Sequence, residues 1–77
     1  MKELVQYLAK SLVNHPDAVE VKETEREDGS VLELRVAKED LGRIIGKQGR
    51  TAKSIRALVN AAASKTNRKI VLEILEE

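Results

Sequence analysis

Apolar residues near the N-terminus recur at helical spacing. The stripe consists of Leu4, Val5, Leu8, Leu12 and Val13. Residues spaced three and four apart share one side of a helix, so this pattern predicts an amphipathic helix. The segment "NHPD" at residues 14–17 ends it, because Pro16 disfavours helical geometry in the residue before it.

Two stretches of alternating apolar and polar residues follow, at residues 19–22 and 32–36. Strict alternation is typical of a strand with one buried face. Between them, Asp28 and Gly29 form a strong hairpin signal, because both residue types tolerate a positive φ at the two turn positions. We therefore predict a β-hairpin with its tip at residues 27–30.

After Lys38, the spacing of apolar residues changes from the alternation of a strand to the spacing of a helix. Glu39 and Asp40 are acids of the kind that suit a helix N-terminus, and a short apolar stripe at residues 41–45 follows them. This brief helix ends in "GKQG" at residues 46–49.

A longer amphipathic helix is predicted after this glycine segment. Its apolar stripe consists of Thr51, Ile55, Leu58, Val59 and Ala62. Ile55, Leu58 and Val59 are expected to lie in the core. The polar segment at residues 65–68 breaks the helix, and alternation over residues 70–74 predicts a last strand.

The predicted order is α-β-β-α-α-β, without a linker or repeat. A three-stranded sheet with one apolar face needs cover, and three helices supply it from one side. We therefore expect a two-layer α+β fold forming a single domain over residues 1–77.

Composition excludes several classes of protein. The chain has no cysteine and one histidine, His15, so it lacks a disulfide framework and the ligands of ordinary zinc sites. No acid–base pair or nucleophile stands out, and we expect no enzymatic activity and no cofactor. The sequence shows no apolar stretch of about 20 residues and no signal-peptide pattern, so we expect a soluble cytoplasmic protein.

The formal net charge of +1 conceals a strong separation of charge along the chain. Residues 41–69 contain eight cations and no acid, whereas residues 17–33 carry a net charge of −5. On the surface of a soluble protein, positive and negative side chains are normally interspersed. A block of one sign indicates an anionic partner.

The segment "LGRIIGKQGRT" at residues 41–51 holds three of the four glycines. Its spacing fits neither a Walker A loop nor a dinucleotide fingerprint. It does fit a tight loop between two helices, with Gly46 and Gly49 reversing the chain and free N–H groups at the start of the second helix attracting phosphate. The surrounding cations are Arg43, Lys47, Arg50 and Lys53. A phosphate clamp beside apolar side chains suits single-stranded nucleic acid.

The run "IIGKQG", followed by Ile55, resembles the I-I-G-x-x-G-x-x-x-x-x-I signature of KH domains. The element order resembles the type II KH arrangement, and the whole chain resembles the KhpA family of small bacterial KH proteins. This resemblance implies a role in single-stranded RNA binding, because KH domains clamp about four nucleotides with the G-x-x-G loop.

The resemblance also implies roles for individual residues. Lys47 and Gln48 would face the phosphates, and the RNA groove would lie between the two central helices and the last strand, bordered by residues 65–68. The residues predicted to contact RNA are Arg43, Ile45, Gly46, Lys47, Gln48, Gly49, Arg50, Lys53, Arg68, Lys69 and Ile70. Whether Ile44 or Ile45 faces the groove stays open.

No aromatic stacking platform exists, so RNA affinity should be weak and salt-dependent, and a second binding domain would strengthen it. The family resemblance implies a homodimer, a larger KhpB-type KH partner, and action as an RNA chaperone in cell elongation and envelope homeostasis. Two alternatives are a protein-interaction module that binds little RNA and a ribosome-assembly factor. Single-stranded DNA also remains an alternative ligand, and Tyr7 is expected to pack or to meet a partner.

Overall fold

The computed structural model of the protein describes residues 1–75. Helices and strands follow the predicted order, and single 3₁₀ turns precede β1, α2 and α3. The elements are α1 (Lys2–Leu12), β1 (Glu20–Arg26), β2 (Gly29–Arg35), α2 (Leu41–Ile45), α3 (Arg50–Ser64) and β3 (Lys69–Ile74).

The strands form a mixed sheet in the order β1-β2-β3. The β1-β2 pair is antiparallel, with Val21 opposite Leu34, and the β2-β3 pair is parallel, with Leu32 opposite Leu72. Parallel neighbours need a crossover that returns the chain to the same end of the sheet, and α2 and α3 provide it. The predicted α+β class and the type II KH topology are confirmed.

The core lies between one face of the sheet and the helices. Leu32 and Leu34 at the centre of β2 are completely buried. The buried cluster consists of Val5, Ala9, Val19, Val21, Leu32, Leu34, Val36, Ile44, Ile55, Val59 and Leu72. It is entirely aliphatic and draws on every helix and every strand within residues 1–75.

The buried side of α1 differs from the prediction. Val5 and Ala9 are fully buried, whereas Leu4 and Leu12 are 36% and 39% exposed. Ala9 is small enough for the helix backbone to approach the sheet closely, so the line of closest packing runs through Val5 and Ala9. Val5 is buried as predicted, and Leu8 and Val13 of the predicted stripe pack against the core.

The prediction that Leu58 lies in the core is wrong, because 52% of its surface is exposed. The buried line of α3 runs through Ala52, Ile55, Val59 and Ala63. Adjacent residues on a helix are rotated by about 100° relative to one another, so Leu58 lies on a flank when Val59 points inward. Ile55 and Val59 are buried as predicted.

The hairpin forms where predicted, but for a different reason. Arg26 pairs with Gly29, which leaves Glu27 and Asp28 as the turn. Neither turn residue has a positive φ, and neither does Gly29. A Cβ atom on Gly29 would instead overlap the backbone carbonyl of Lys69 at the start of β3. The glycine therefore permits close parallel pairing, which the local pattern could not reveal.

Candidate nucleic-acid interface

The segment Gly46–Gly49, hereafter the GKQG loop, reverses the chain through left-handed backbone conformations. Gly46, Gln48 and Gly49 have φ angles of 76°, 58° and 74°. The Gly49 N–H donates to the Gly46 carbonyl at 3.1 Å, which closes the loop. A Cβ atom on Gly46 would also overlap Thr51 in the first turn of α3. The positive φ and the overlap with Thr51 together require glycine at position 46.

The GKQG loop leads directly into the N-terminus of α3. Gly49 occupies the N-cap position, and no side chain caps the helix there. The first N–H groups of a helix have no intrahelical acceptor and carry the positive end of the helix dipole. Here the Gly49 N–H is bonded to the Gly46 carbonyl and the Arg50 N–H to the Lys47 carbonyl, so the start of α3 favours an anion mainly through the helix dipole.

Four exposed cations occupy the loop and its flanking helices. They are Arg43, Lys47, Arg50 and Lys53. The amide oxygen of Gln48 accepts a long hydrogen bond from the Arg50 guanidinium at 3.5 Å, so these two side chains lie side by side. No acid interrupts the sequence from residue 41 to residue 69, although Arg43 lies 3.9 Å from the carboxylate of Asp40, just before this segment.

The two isoleucines before the loop separate as core and surface. Ile44 is completely buried and belongs to the core cluster, whereas Ile45 is half-buried at the end of α2. Only Ile45 is thus left with surface that a ligand could contact.

A groove of about 200 Å³ lies between α3 and β3, on the edge of the sheet. Its lining comprises Arg56, Val59, Asn60, Ile70, Val71 and Leu72. Ile70 lies where the prediction places it, and Ile45 is not part of this lining. The floor is apolar, and the Arg56 guanidinium crosses to the strand, where its Nε donates to the Leu72 carbonyl at 3.4 Å.

Arg56 and Asn60 are groove residues that the sequence prediction omitted. They are polar, exposed and four residues apart, and they flank Val59 on the side of α3 that meets β3. Their helical spacing beside a core residue was visible in the sequence. It indicates a groove only when the position of β3 next to α3 is known.

Arg68 points toward the hairpin. Its guanidinium donates to the Glu25 carboxylate at 2.6 Å, to the Gly29 carbonyl at 3.1 Å and to the Ser30 hydroxyl at 3.4 Å. Lys69 alternates with Ile70, so its side chain leaves β3 on the face opposite buried Leu72. The structure therefore groups the predicted loop cations, and it places Arg68 and Lys69 away from them.

Other kinds of site have little support within residues 1–75. No cluster of three histidine, aspartate or glutamate side chains there could hold a metal ion. Among the described residues, none of the helices has both the length and the apolar character needed to cross a membrane. The GKQG loop and the groove between α3 and β3 are the candidate site that the sequence predicts.

Comparison with known proteins identifies the family of the chain. The family model described as "KhpA/KhpB, KH domain" matches residues 2–74. The chain is 56% identical to RNA-binding protein KhpA of Clostridium perfringens over 75 residues, which cover 97% of this chain and all of the relative. It is 49% identical to RNA-binding protein KhpA of Borreliella burgdorferi over 74 residues, covering 96% of this chain and 90% of the relative. No solved structure matches the chain significantly. The chain belongs to the KhpA/KhpB family of KH domains.

Proposed function

We propose that this protein binds single-stranded RNA, with the phosphate backbone on the GKQG loop and bases in the groove between α3 and β3. The observation that carries the proposal is the positive-φ loop at Gly46 and Gly49, which leads into the N-terminus of α3 and is flanked by exposed cations. The names of the KhpA relatives, which are RNA-binding proteins, support the same ligand.

Each predicted residue has a proposed part in this interface. Lys47 and Gln48 contact phosphate directly, and Arg43, Arg50 and Lys53 supply the attractive field around it. Ile70 contacts a base from the groove floor, and Ile45 contacts the chain beside the loop. Arg68 and Lys69 act at the distant rim, with Arg68 approaching RNA from its place beside Glu25.

The prediction that the chain is not an enzyme is confirmed by its family, because KhpA and KhpB KH domains are binding modules. The interface accordingly has to hold RNA, and no step of bond cleavage has to be explained.

The double variant Lys47→Asp with Gln48→Asp tests the proposal. Both positions are exposed, and Asp tolerates the left-handed φ of 58° at residue 48, so the fold should survive. We expect binding of a fluorescein-labelled, eight-nucleotide single-stranded RNA of mixed sequence to become undetectable by fluorescence anisotropy.

A matched control exists at the other end of α3. Lys65→Asp with Asn67→Asp makes the same change in charge, and Asn67 also has a left-handed φ, of 57°. Because residues 65–68 border the predicted groove, this control should weaken binding only partly, whereas the loop variant should abolish it. Equal losses in both variants would show a nonspecific charge effect and contradict the loop assignment.

A protein-interaction module is the second candidate function, and the exposed apolar side chains favour it. They are Leu4, Tyr7, Leu12, Leu58 and Val71. Tyr7 is 71% exposed, so it does not pack in the core and is available to a partner. We propose that the protein forms a homodimer or pairs with a KhpB-type protein, which would raise its weak affinity for RNA. Sedimentation of the variant Lys47→Asp with Gln48→Asp distinguishes the two candidate functions. Association of the protein with its partner should survive in this variant if the protein mainly binds RNA, and should be lost if it is a protein-interaction module.

The cellular role is proposed from the family resemblance alone: an RNA chaperone acting in cell elongation and envelope homeostasis. A ribosome-assembly factor would prefer structured RNA. Competition between an unstructured oligonucleotide and a hairpin of the same length therefore distinguishes these roles, and a DNA oligonucleotide of the same sequence shows whether the 2′-hydroxyl matters.

A further inference from the structure

Asp40 is a buried carboxylate that the RNA interface does not use directly. Only 1% of its surface is exposed. The Oδ1 atom accepts the backbone N–H of Asn14 at 3.1 Å, and Oδ2 accepts the backbone N–H of His15 at 2.9 Å. Both donors belong to the segment after α1, about 25 residues earlier in the chain. Although Asp40 precedes α2, its side chain does not cap that helix.

Asp40 also lies next to the basic surface. The Nε atom of Arg43, one turn along α2, is 3.9 Å from Oδ1. Beside this contact, Nε2 of His15 lies 3.9 Å from the Glu39 carboxylate. Asp40 therefore connects three parts of the molecule: the end of α1, the start of α2 and a cation of the proposed RNA site.

The position of α2 determines where the GKQG loop begins. The helix has only five residues, and its last residue, Ile45, is followed immediately by Gly46. Ile44 is its one fully buried side chain, and Leu41 packs against the core more loosely. Asp40 supplies the hydrogen bonds that fix the opposite end of α2. A short helix held at one end only could pivot and carry the loop with it.

We propose that Asp40 is a positioning residue for RNA binding: it fixes α2 against the segment after α1 and holds Arg43, so that the GKQG loop is presented in its binding geometry. The inference rests on the proposed function, because it assigns Asp40 a role in the same site.

Electrostatics and positioning give opposite expectations for Asp40→Asn. A carboxylate 3.9 Å from Arg43 opposes the approach of phosphate, so removing its charge alone should strengthen RNA binding. Loss of positioning should weaken it, because the Asn amide has one carbonyl oxygen and cannot accept both backbone N–H groups in the same way. The direction of the change therefore decides between the two roles.

Glu39→Gln is the matched control, since it removes one negative charge from the neighbouring exposed residue. With the eight-nucleotide RNA, we expect the dissociation constant to rise three- to tenfold for Asp40→Asn and to stay equal or fall for Glu39→Gln. We also expect the NMR amide signals of residues 46–50 to shift in Asp40→Asn alone. Unchanged loop signals, or a gain in affinity for both variants, would overturn the proposal.

To separate a loss of stability from a loss of positioning, RNA binding is measured under conditions in which urea titration shows both variants to be more than 99% folded. A double-mutant cycle with Arg43→Gln adds a further readout. If Asp40 acts through Arg43, the Arg43 change should cost less affinity in the Asp40→Asn background than in the wild type. Strict additivity would overturn that part of the proposal.

The wild-type protein provides a test that does not depend on a variant folding. Binding and positioning are reciprocal, so RNA should slow hydrogen exchange at the Asn14 and His15 amides severalfold. Exchange unaffected by saturating RNA would count against the coupling. If the wild type fails to bind the RNA at all, the proposed function fails, whereas the loop signals of Asp40→Asn still decide whether Asp40 fixes the loop.

Discussion

At Gly29 the missing side chain allows β3 to lie directly against the start of β2. Gly46 and Gly49 serve a different purpose, because both have positive φ angles, and only Gly46 also has a close neighbour in Thr51. Gly42 has an open environment. Glycines that look alike in the sequence therefore differ in how far they can be replaced.

Gly29→Ala should lower the free energy of unfolding by about 2–4 kcal/mol, because its Cβ overlaps the backbone of Lys69 and forces β2 and β3 apart. Gly42→Ala is the control. It lies within α2 with nothing close to its Cβ position and should be neutral or stabilising by about 0.5–1 kcal/mol. Urea unfolding followed by circular dichroism measures both, and equal stabilities would contradict the close approach.

The two loop glycines should respond unequally to alanine. Gly46→Ala combines a φ of 76° with overlap against Thr51, and we expect it to abolish RNA binding and cost at least about 2 kcal/mol of stability. Gly49→Ala, with open space around it, should cost about 1–2 kcal/mol and Gly49→Asn less, because Asn accepts left-handed geometry. Equal losses of stability for Gly46→Ala and Gly49→Ala would contradict the role of Thr51.

At the scale of elements, a small polar network joins the hairpin to the start of β3. The Arg68 guanidinium reaches Glu25, and the hydroxyl of Ser30, a buried residue, donates to the same carboxylate at 3.2 Å. The segment between α3 and β3 is thereby tied to β1 and β2. Local periodicity gave no sign of this link, since its members lie up to 43 residues apart.

Arg68→Ala should lower the free energy of unfolding by about 1 kcal/mol, since the ion pair is largely exposed and screened while the bond to the Gly29 carbonyl adds a modest term. Lys65→Ala, an exposed cation in the same connection, should change stability by less than about 0.5 kcal/mol. Thermal and urea unfolding of both variants, with Glu25→Gln as the partner change, provide the check. An Arg68→Ala protein as stable as Lys65→Ala would show that the network contributes nothing.

The elements themselves were largely predictable, because periodicity and turn chemistry are local. The order of the elements, the presence of three strands and the position of the GKQG loop all followed from the spacing of residue types along the chain. What failed was the placement of Leu58, Leu4 and Leu12, which depends on how closely each helix approaches the sheet, whereas Leu8 packs against the core. Arg56, Arg68 and Asp40 acquire their contacts only through the parallel β2-β3 pairing or the packing of α1 on α2, and no local pattern encodes these.

At the scale of the whole molecule, the separation of charge seen in the sequence persists in the fold. The basic segment forms the α2-loop-α3 crossover, and the most acidic segment forms β1 and the hairpin turn. Arg68 bridges the two regions through its ion pair with Glu25. Because the loop cations are exposed, the attraction of RNA should respond strongly to salt.

The logarithm of the RNA association constant should fall linearly with the logarithm of salt concentration, with a slope of roughly −2 to −3. This range corresponds to about three or four phosphates at about −0.7 each. Lys47→Gln should reduce the slope by about 0.7 if Lys47 contacts one phosphate. Anisotropy titrations at several potassium chloride concentrations measure it, and an unchanged slope would remove Lys47 from the contact.

The parallel pairing of β2 with β3 also has a consequence for how the molecule assembles. Residues paired within the hairpin are at most 15 apart, as for Glu20 and Arg35, whereas Gly29 pairs with Lys69 about 40 residues later. Closing the longer loop costs more entropy, so the hairpin is expected to form first and β3 to dock last. The groove between α3 and β3 needs β3 in place, so a chain emerging during synthesis acquires this groove only after β3 has been made and has docked.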